Sequence, residues 1–285
     1  NNEVDLLYQD LLINVTEFFR DTEAFLHLKN SILPKFIASK VAGETLRIWV
    51  AACATGEEVY SIAMLLFEIQ DHTQNSIPFQ IFASDLSAEA INFARIGEFT
   101  SAQLKNVSPQ QLKRFFTKSK EKYRVSKQLR DVCVFAKHNI LLDPPFSRMD
   151  FISCRNVLIY LNTNAQKKAI STFHYALNDG GSLMLGKSET IGTSTLLFTI
   201  LDKKFKFYSR KKNSGLRTIP DTYSSIYNIT MPDKNTPPTS PFKKIMTSPN
   251  GTIGIAFDAV LLEQHVPASV IINYDLEILQ FRGST

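Results

Sequence analysis

The chain has 285 residues, 44% of them hydrophobic, and its 32 Lys and Arg against 27 Asp and Glu give a net charge of +5. These values are ordinary for a globular protein with one large domain and a smaller piece, and the charge is too low to indicate a nucleic-acid partner. The sequence has no apolar run near the roughly 20 residues of a membrane span and no recognisable signal peptide. We therefore expect a cytoplasmic protein without membrane insertion.

Cysteine and histidine spacing predicts no metal site. The three cysteines are Cys53, Cys133 and Cys154, an odd number in apolar contexts without a C-x-x-C pair, and none of the five histidines lies at ligand spacing. Unpaired cysteines of this kind favour a reducing compartment.

The first 45 residues are predicted to form a helical segment ahead of the main domain. Residues 4–12 indicate a short helix, and residues 24–39 indicate a longer one. Because the chain begins at Asn1 without a methionine, we expect it to be a piece of a longer protein.

Residues 47–58 carry the strongest signal, because a buried strand there meets a helix through a turn of small residues. Residues 47–52 are apolar, and a helical pattern follows Glu58. Small residues such as Ala52 and Gly56 let a ligand lie against the backbone at the helix N-terminus. The turn lacks G-x-G-x-x-G and G-K-[ST], so it is no phosphate loop. Two carboxylates at the helix start favour a cationic ligand, such as S-adenosylmethionine.

A second apolar strand, residues 79–85, ends in Asp85. In doubly wound α/β folds an acid at this place accepts hydrogen bonds from a ribose diol. The alternative is that Asp85 caps the next helix, but Ser87 is the better N-cap. The two strands together predict a nucleotide-like cofactor at the strand ends.

The rest of the main domain, which we place at residues 46–210, follows in chain order. We predict a helix capped by Ser108, a small β insertion at about residues 118–137, a fourth core strand at 149–154, a helix at 163–177 that stops at Gly180-Gly181, a strand at 182–185 and a closing hairpin at 198–208.

The C-terminal part changes in composition. Residues 211–250 hold six of the twelve prolines and have the composition of a linker. Residues 255–265 then predict an amphipathic helix, and residues 270–281 predict two strands around a turn. We expect residues 251–285 to be the start of a second domain.

Six stretches in a fixed order form a recognisable set. They are Asn14-Val-Thr-Glu-Phe-Phe-Arg20, Ala52-Cys-Ala-Thr-Gly-Glu-Glu58, Phe82-Ala-Ser-Asp85, Asn139-Ile-Leu-Leu-Asp143, Cys154-Arg-Asn-Val-Leu-Ile-Tyr160 and Gly186-Lys-Ser-Glu-Thr190. Between about Asn14 and Arg210 the chain resembles the chemotaxis-receptor glutamate methyltransferases, the CheR family. From Val260 it resembles, over a short stretch, the start of a PAS domain.

The resemblance implies an α/β fold, a Rossmann-like, seven-stranded methyltransferase sheet, followed by a partial PAS domain. It implies S-adenosylmethionine as cofactor, S-adenosylhomocysteine as product, and methyl transfer to glutamate carboxylates on chemoreceptor helices. It further implies cofactor contacts from Thr16, Arg20, Glu58, Asp85, Asn139, Ile140 and Asn156, beside the turn at Ala52 and Gly56, with Arg155 and Tyr160 steering the acceptor.

Several of these residues have ordinary alternatives. An arginine such as Arg20 is most often a solvated charge on a helix flank, and a tyrosine such as Tyr160 is more often core packing than chemistry. Arg155, however, follows an apolar strand at its C-terminal end, where such sheets place reacting groups. Asp143-Pro-Pro-Phe146 matches a signature of nucleobase amino-methyltransferases, but it precedes the fourth strand instead of following it. We interpret it as a rigid turn.

The alternative to an enzyme is a cofactor-bound but non-catalytic scaffold in a signalling hybrid.

A further expectation concerns how the protein meets its receptor partner. Residues 116–124 are charged and lack glycine, which disfavours strand addition by a receptor C-terminal pentapeptide, although addition along residues 132–135 is an alternative. We therefore predict no pentapeptide tether and direct contact with receptor helices through Lys113, Arg114, Lys118, Lys120 and Lys122.

Overall fold

The computed structural model describes residues 16–41, 43–73 and 76–212, together with two short strands near the C-terminus. The chain divides into two compact units, Asn1–Asn228 and Ile229–Thr285, and each is described by itself. Our predictions of a helix at 4–12, of a linker over most of 211–250 and of a helix at 255–265 lie outside the described residues. No helix among the described residues has the length and apolar character needed to cross a membrane.

The described part of the first unit contains both strands and helices. The strands are β1 (Leu46–Ala51), β2 (Phe79–Asp85), β3 (Glu98–Thr100), β4 (Phe116–Ser119), β5 (Lys122–Val125), β6 (Cys133–Lys137), β7 (Met149–Cys154), β8 (Leu177–Leu185), β9 (Phe198–Asp202) and β10 (Phe207–Arg210). The helices are α1 (Thr22–His27), α2 (Leu33–Ser39), α3 (Glu57–Thr73), α4 (Ala88–Ile96), α5 (Pro109–Phe115), α6 (Lys127–Asp131) and α7 (Thr163–Ala176). A π-helical turn, Leu28–Ile32, joins α1 to α2, and Leu158–Tyr160 forms a 3-10 turn.

Seven strands form one sheet in the order β6-β2-β1-β7-β8-β10-β9. The neighbours from β6 to β8 pair in parallel, and β10 is antiparallel to both β8 and β9. The predicted Rossmann-like α/β methyltransferase sheet, seven-stranded and mostly parallel, is thereby confirmed.

Apolar side chains fill both faces of this sheet. Ile48 and Val50 of β1 belong to the larger core cluster, and Trp49 belongs to the cluster on the other face. Covering on both faces explains why β1 and β7 are nearly continuous apolar runs. The same pattern made these two strands predictable.

Helix starts follow the predicted caps. The hydroxyl of Ser108 accepts a hydrogen bond from the N–H of Gln111, and the side-chain oxygen of Gln111 accepts one from the N–H of Ser108. Ser87 likewise accepts from the N–H of Ala90 at the start of α4. Both predicted caps are present.

The β insertion differs from our prediction of residues 118–137. The small antiparallel sheet has the order β3-β5-β4, so it includes Glu98–Thr100. Cys133–Lys137, by contrast, is the edge strand of the main sheet and pairs in parallel with β2. The prediction was wrong here because a five-residue strand carries no local sign of which sheet it joins.

The helix predicted at 163–177 ends one residue early, and the two glycines serve the strand instead of stopping the helix. Leu177 is buried and pairs with Met149, so β8 begins there. Gly180 has a φ of +77°, and a Cβ on Gly181 would lie 3.0 Å from the carbonyl oxygen of Asp150. The glycines therefore allow the irregular register at the start of β8.

In the second unit, Ser269–Ile272 and Ile278–Arg282 form an antiparallel pair. The prediction of two strands within residues 270–281 is confirmed, and the predicted turn between them lies outside the described residues.

Candidate cofactor site

The candidate site lies at the carboxyl ends of three neighbouring strands, β2, β1 and β7. Parallel strands bring these ends to one edge, where open α/β sheets bind ligands. The turn after β1, Asp85 at the end of β2 and Arg155 after β7 therefore meet at one place.

The turn after β1 has an unusual backbone. Ala52, Ala54 and Gly56 have φ angles of 56°, 46° and 92°, all in the left-handed region. Glycine adopts this region without steric cost, whereas the Cβ of an alanine makes it unfavourable, so surrounding contacts hold Ala52 and Ala54 there. The N–H of Cys53 donates to the carbonyl of Ser84 at 2.9 Å, which ties the turn to β2. The backbone of this turn therefore lies close to the end of β2, directly ahead of α3.

Asp85 fixes this turn and keeps acceptor capacity for a ligand. One carboxylate oxygen accepts from the N–H of Ala54 at 2.8 Å, and the other accepts from the N–H of Ser87 at 2.9 Å. The residue is 8% exposed. Because an ionised carboxylate has about four acceptor positions, two are left for a ribose diol.

The two acids at the start of α3 have different surroundings. Glu57 is buried and accepts from the hydroxyl of Thr55, and its burial raises the pKa of this carboxyl above the ordinary value. Glu58 accepts from the hydroxyl of Ser153 at 2.5 Å and from Arg155 at 3.0 Å. Glu57 is thus enclosed at the start of α3, whereas Glu58 is tied to the end of β7 and to Arg155.

Arg155 lies at the centre of an enclosed ion-pair network. Its side chain is 1% exposed. One terminal nitrogen donates to Glu58, and the other donates to Asp21 at 2.5 Å and to the carbonyl of Arg20 at 2.9 Å. The guanidinium carbon lies 5.3 Å from the centre of the Phe25 ring. Both terminal nitrogens are therefore engaged by the protein itself.

These contacts differ from the predicted role of Arg155 in steering an acceptor. A guanidinium that is enclosed and paired with Asp21 and Glu58 offers an incoming carboxylate little access in this conformation. Its Nε is buried and has no acceptor among the residues that the structure describes, so one donor is unused. The geometry favours Arg155 as the residue that organises the site.

Asn156 is held in place by a buried acid. It has a φ of 60°, and its N–H donates to Glu189 at 2.9 Å. Glu189 also accepts from the N–H of Gly186 at 2.6 Å and from that of Leu158 at 2.7 Å. One carboxylate thus joins the loop after β7 to the loop after β8.

Asn139 and Ile140 lie in the loop after β6, at the same edge of the sheet. The side chain of Asn139 accepts from the N–H of Leu141, and its own N–H donates to Asp143. Ile140 packs against the core cluster that contains Trp49. The loop is ordered by its own hydrogen bonds, with Ile140 as its apolar side.

The Asp143-Pro-Pro-Phe146 stretch packs as part of the fold. The carbonyl of Pro144 lies 3.0 Å from Nε2 of His138. The Phe146 ring stacks on His138 and meets Trp49 edge-on, with centroids 5.2 Å apart in each case. These contacts agree with the interpretation of this stretch as a rigid turn.

Tyr160 and Thr16 are not tied into the network around Arg155. Tyr160 is 60% exposed in its 3-10 turn, so the alternative that it packs in the core is wrong. Thr16 is half-buried and precedes Glu17, which pairs with Lys105. Within the described part of the chain, no hydrogen bond joins either side chain to Arg155.

Three further residues belong to this site and were not predicted: Asp21, Ser153 and Glu189. A signal existed for two of them. Asp21 directly follows the first matching stretch, and Glu189 lies inside the last one. Their roles could not be predicted because each depends on a partner far away in the sequence.

The comparisons with known proteins agree with this geometry. Residues 14–207 match the family model described as the CheR methyltransferase, SAM-binding domain. The chain belongs to the CheR methyltransferase family. This domain is that of an S-adenosylmethionine-dependent methyltransferase, so S-adenosylmethionine is its cofactor.

Several proteins are similar to this chain. An uncharacterised 104.1 kDa protein of Rhodobacter capsulatus is 33% identical over 99% of this chain, which spans only 29% of that protein. Chemotaxis protein methyltransferase Cher2 of Pseudomonas putida is 36% identical over 62% of this chain and 66% of its own length. Chemotaxis protein methyltransferase 1 of Pseudomonas aeruginosa is 35% identical over 66% and 70%.

The residues present fit the cofactor. It carries positive charge at its sulfonium and its ammonium, and the carboxylates of Asp21, Glu58 and Asp85 outnumber the guanidiniums of Arg20 and Arg155. The free lone pairs of Asp85 suit a ribose diol.

Proposed function

We propose that this chain transfers the methyl group of S-adenosylmethionine to glutamate side chains of chemoreceptors in the cytoplasm, forming methyl esters, within chemotaxis-type signalling. The observation that carries the proposal is the network that joins Asp21, Arg155 and Glu58 beside Asp85. It is intact in a chain that is 36% identical to a chemotaxis protein methyltransferase.

The bound cofactor supplies an activated methyl group on its sulfonium. A glutamate carboxylate is already ionised at neutral pH, so no residue of this chain has to act as a general base. What the protein contributes is orientation and the exclusion of water, and orientation can lower a barrier by up to about 7–11 kcal/mol. Asp85 and Glu58 serve the cofactor side of this task, together with Thr16, Arg20, Ala52, Gly56, Asn139, Ile140 and Asn156.

On the acceptor side, Tyr160 and Arg155 have different parts. Tyr160 is exposed, and its phenol is free to donate a hydrogen bond to an incoming carboxylate. Arg155 is enclosed, and it acts by fixing Glu58 and the turn at Asp21. Tyr160 is therefore our candidate for direct contact with the acceptor.

Methyl transfer is tested with labelled S-adenosylmethionine and receptor cytoplasmic fragments, scored as base-labile methanol. The matched control is the same fragment with its acceptor glutamates changed to glutamine. Label that depends on those glutamates supports the proposal. Cofactor binding without any transfer would instead favour the non-catalytic scaffold, and label on nucleic acid would favour a nucleobase methyltransferase.

We further propose that the receptor helices meet the basic surface of the β insertion directly. Lys113, Lys118, Lys120 and Lys122 are exposed there, and Arg114 pairs with Asp71. The side chain of Lys118 lies over Tyr123 on the neighbouring strand, at the edge strand β4. Lysines at an edge discourage strand addition, which supports a contact without a C-terminal tether.

Binding of a receptor C-terminal pentapeptide tests this second proposal. We expect no binding at micromolar concentrations, and we expect that reversing the charges of Lys118, Lys120 and Lys122 weakens methylation of the receptor fragment without changing S-adenosylhomocysteine affinity. Micromolar pentapeptide binding would defeat the proposal.

For the second unit we propose the start of a PAS domain. The support is the antiparallel pair Ser269–Ile272 and Ile278–Arg282, which follows a proline-rich stretch of linker composition. The test is whether a longer piece of the protein, beginning at about residue 251, folds independently.

A further inference from the structure

We propose that Asp21 is a positioning residue, which holds the N-terminal edge of the cofactor site in place through Arg155. The inference rests on the cofactor site alone and does not depend on which acceptor is methylated.

The first observation is a costly turn ahead of α1. Phe19 and Asp21 have φ angles of 52° and 62°, although neither is a glycine. Residues other than glycine rarely adopt this left-handed backbone conformation. Where they do, surrounding contacts usually enforce it. The turn also carries Arg20, for which the family resemblance implies a contact with the cofactor.

The second observation is the set of contacts that enforce the turn. The N–H of Phe19 donates to the hydroxyl of Ser61 on α3. Arg155 donates to the carbonyl of Arg20 and to the carboxylate of Asp21. Arg155 therefore holds the turn at two consecutive residues, once through the backbone and once through a charged side chain.

The third observation concerns what the Asp21 carboxylate does not do. Asp21 occupies the N-cap position of α1, where an aspartate commonly accepts from a backbone N–H of the helix. Its side chain makes no such capping hydrogen bond and instead reaches Arg155 at 2.5 Å. The Asp21 carboxylate thus binds Arg155, 134 positions away in sequence, instead of a nearby backbone N–H. This choice of partner indicates a role at the site.

The fourth observation is the continuity of the network. Arg155 also donates to Glu58, and Glu58 accepts from Ser153. The Asp21 turn, the start of α3 and the end of β7 are thus connected through one guanidinium. Displacement of the turn would change the positions of the groups that surround the cofactor.

Exposure makes Asp21 a suitable residue for a test. Its side chain is 38% exposed, whereas that of Arg155 is 1% exposed. After the change Asp21→Asn, the enclosed guanidinium of Arg155 still faces the carboxylate of Glu58. We therefore expect the variant to fold and to lose affinity for the cofactor.

The test compares three variants by calorimetry with S-adenosylhomocysteine. Asp21→Asn is expected to raise Kd about ten-fold, the scale of one hydrogen bond to a charged group. Asp21→Glu should recover part of that loss. The matched control is Glu23→Gln, two residues further along, because Glu23 pairs with Lys204 on the surface and both side chains are at least 70% exposed. It should bind as the parent does.

A purely structural role is separated by two further measurements. The free energy of unfolding without ligand should fall far less for Asp21→Asn than for Arg155→Ala. In an Arg155→Lys background, Asp21→Asn should change Kd less than it does in the parent, because the two residues act together. An unchanged Kd for Asp21→Asn, or a Kd effect that is the same in both backgrounds, would overturn the proposal.

Discussion

Gly56 faces Ala94 so closely that a Cβ on Gly56 would lie 2.9 Å from the Cβ of Ala94. The contact joins the turn after β1 to α4, and it leaves room for a hydrogen atom only. The packing therefore requires a glycine, and we propose that the same turn presents its backbone to the cofactor.

The first prediction follows from this contact. Gly56→Ala should lower the free energy of unfolding by more than about 1 kcal/mol, since it adds a clash to a left-handed φ of 92°. It should also weaken cofactor binding. The matched control is Gly43→Ala, because Gly43 has a φ of 91° but no atom within 4 Å of its Cβ position. Equal losses for the two variants would show that conformation alone is responsible.

Asp85→Ala should reduce S-adenosylhomocysteine affinity by about 1.5–3 kcal/mol, the value of a hydrogen bond to a charged acceptor. Calorimetry measures it. Asp131→Asn is the control, because Asp131 pairs only with Lys127 on the surface among the described contacts. Unchanged affinity in Asp85→Ala would remove Asp85 from the site.

Arg155→Ala should lower stability, cofactor affinity and turnover together. It leaves Asp21 and Glu58 without their counter-charge, and breaking such an enclosed pair costs about 3–5 kcal/mol. The acceptor-steering role that the resemblance implies for Arg155 would instead lower turnover more than cofactor affinity. Urea unfolding, calorimetry and methyl-transfer kinetics distinguish the organising role of Arg155 from a direct contact with the acceptor. A fall in turnover at normal cofactor affinity would support the direct contact.

Tyr160→Phe should lower kcat/KM about ten-fold, which corresponds to one lost hydrogen bond worth about 1.4 kcal/mol, while S-adenosylhomocysteine affinity stays constant. Because Tyr160 is exposed, we expect the variant to be as stable as the parent, and thermal unfolding measures this. A parallel loss of cofactor affinity would move Tyr160 to the cofactor side of the site.

Glu57 gives a prediction about pH. Burial raises the pKa of its carboxyl in the folded protein above the ordinary 4.5. The stability that this group contributes is therefore complete below pH 4.5 and is lost as the pH rises through the folded pKa. Glu57→Gln cannot ionise and can still accept from Thr55. It should be more stable than the parent at pH 7.5, with a difference that shrinks toward pH 4.

Urea unfolding followed by the fluorescence of Trp49, the single tryptophan, measures this difference. Glu121→Gln, at an exposed position in the β4–β5 turn, serves as the control. A Glu57→Gln variant that is less stable at every pH would contradict the prediction.

The sheet was predictable where its strands carry their own signal. β1 and β7 are buried on both faces and are therefore mostly apolar, with Arg47 as the exception in β1 and Asp150 and Ser153 as the exceptions in β7. β6 was misplaced because only Phe135 in it is buried, so its pairing with β2 depends on tertiary contacts. Leu177 was assigned to the helix because its helical spacing continues, whereas its pairing with Met149 decides the strand.

The site was predictable in position and less so in contacts. Asp85 and Arg155 were placed at strand ends from their sequence context alone. The partners of Arg155 could not be predicted, because the carboxylate of Asp21 reaches it only through two left-handed residues in the preceding turn. A sequence pattern gives no signal for such a turn when it contains no glycine.

The three hydrogen bonds to Glu189 have a consequence for amide hydrogen exchange. The N–H groups of Asn156, Leu158 and Gly186 lie outside regular strands and helices or at their first residue, where exchange is usually fast. Each is bonded to a carboxylate that is 3% exposed, so exchange requires the loop pair to open as a unit. These three amides should therefore exchange at a common, slow rate, on the timescale of the neighbouring core strands.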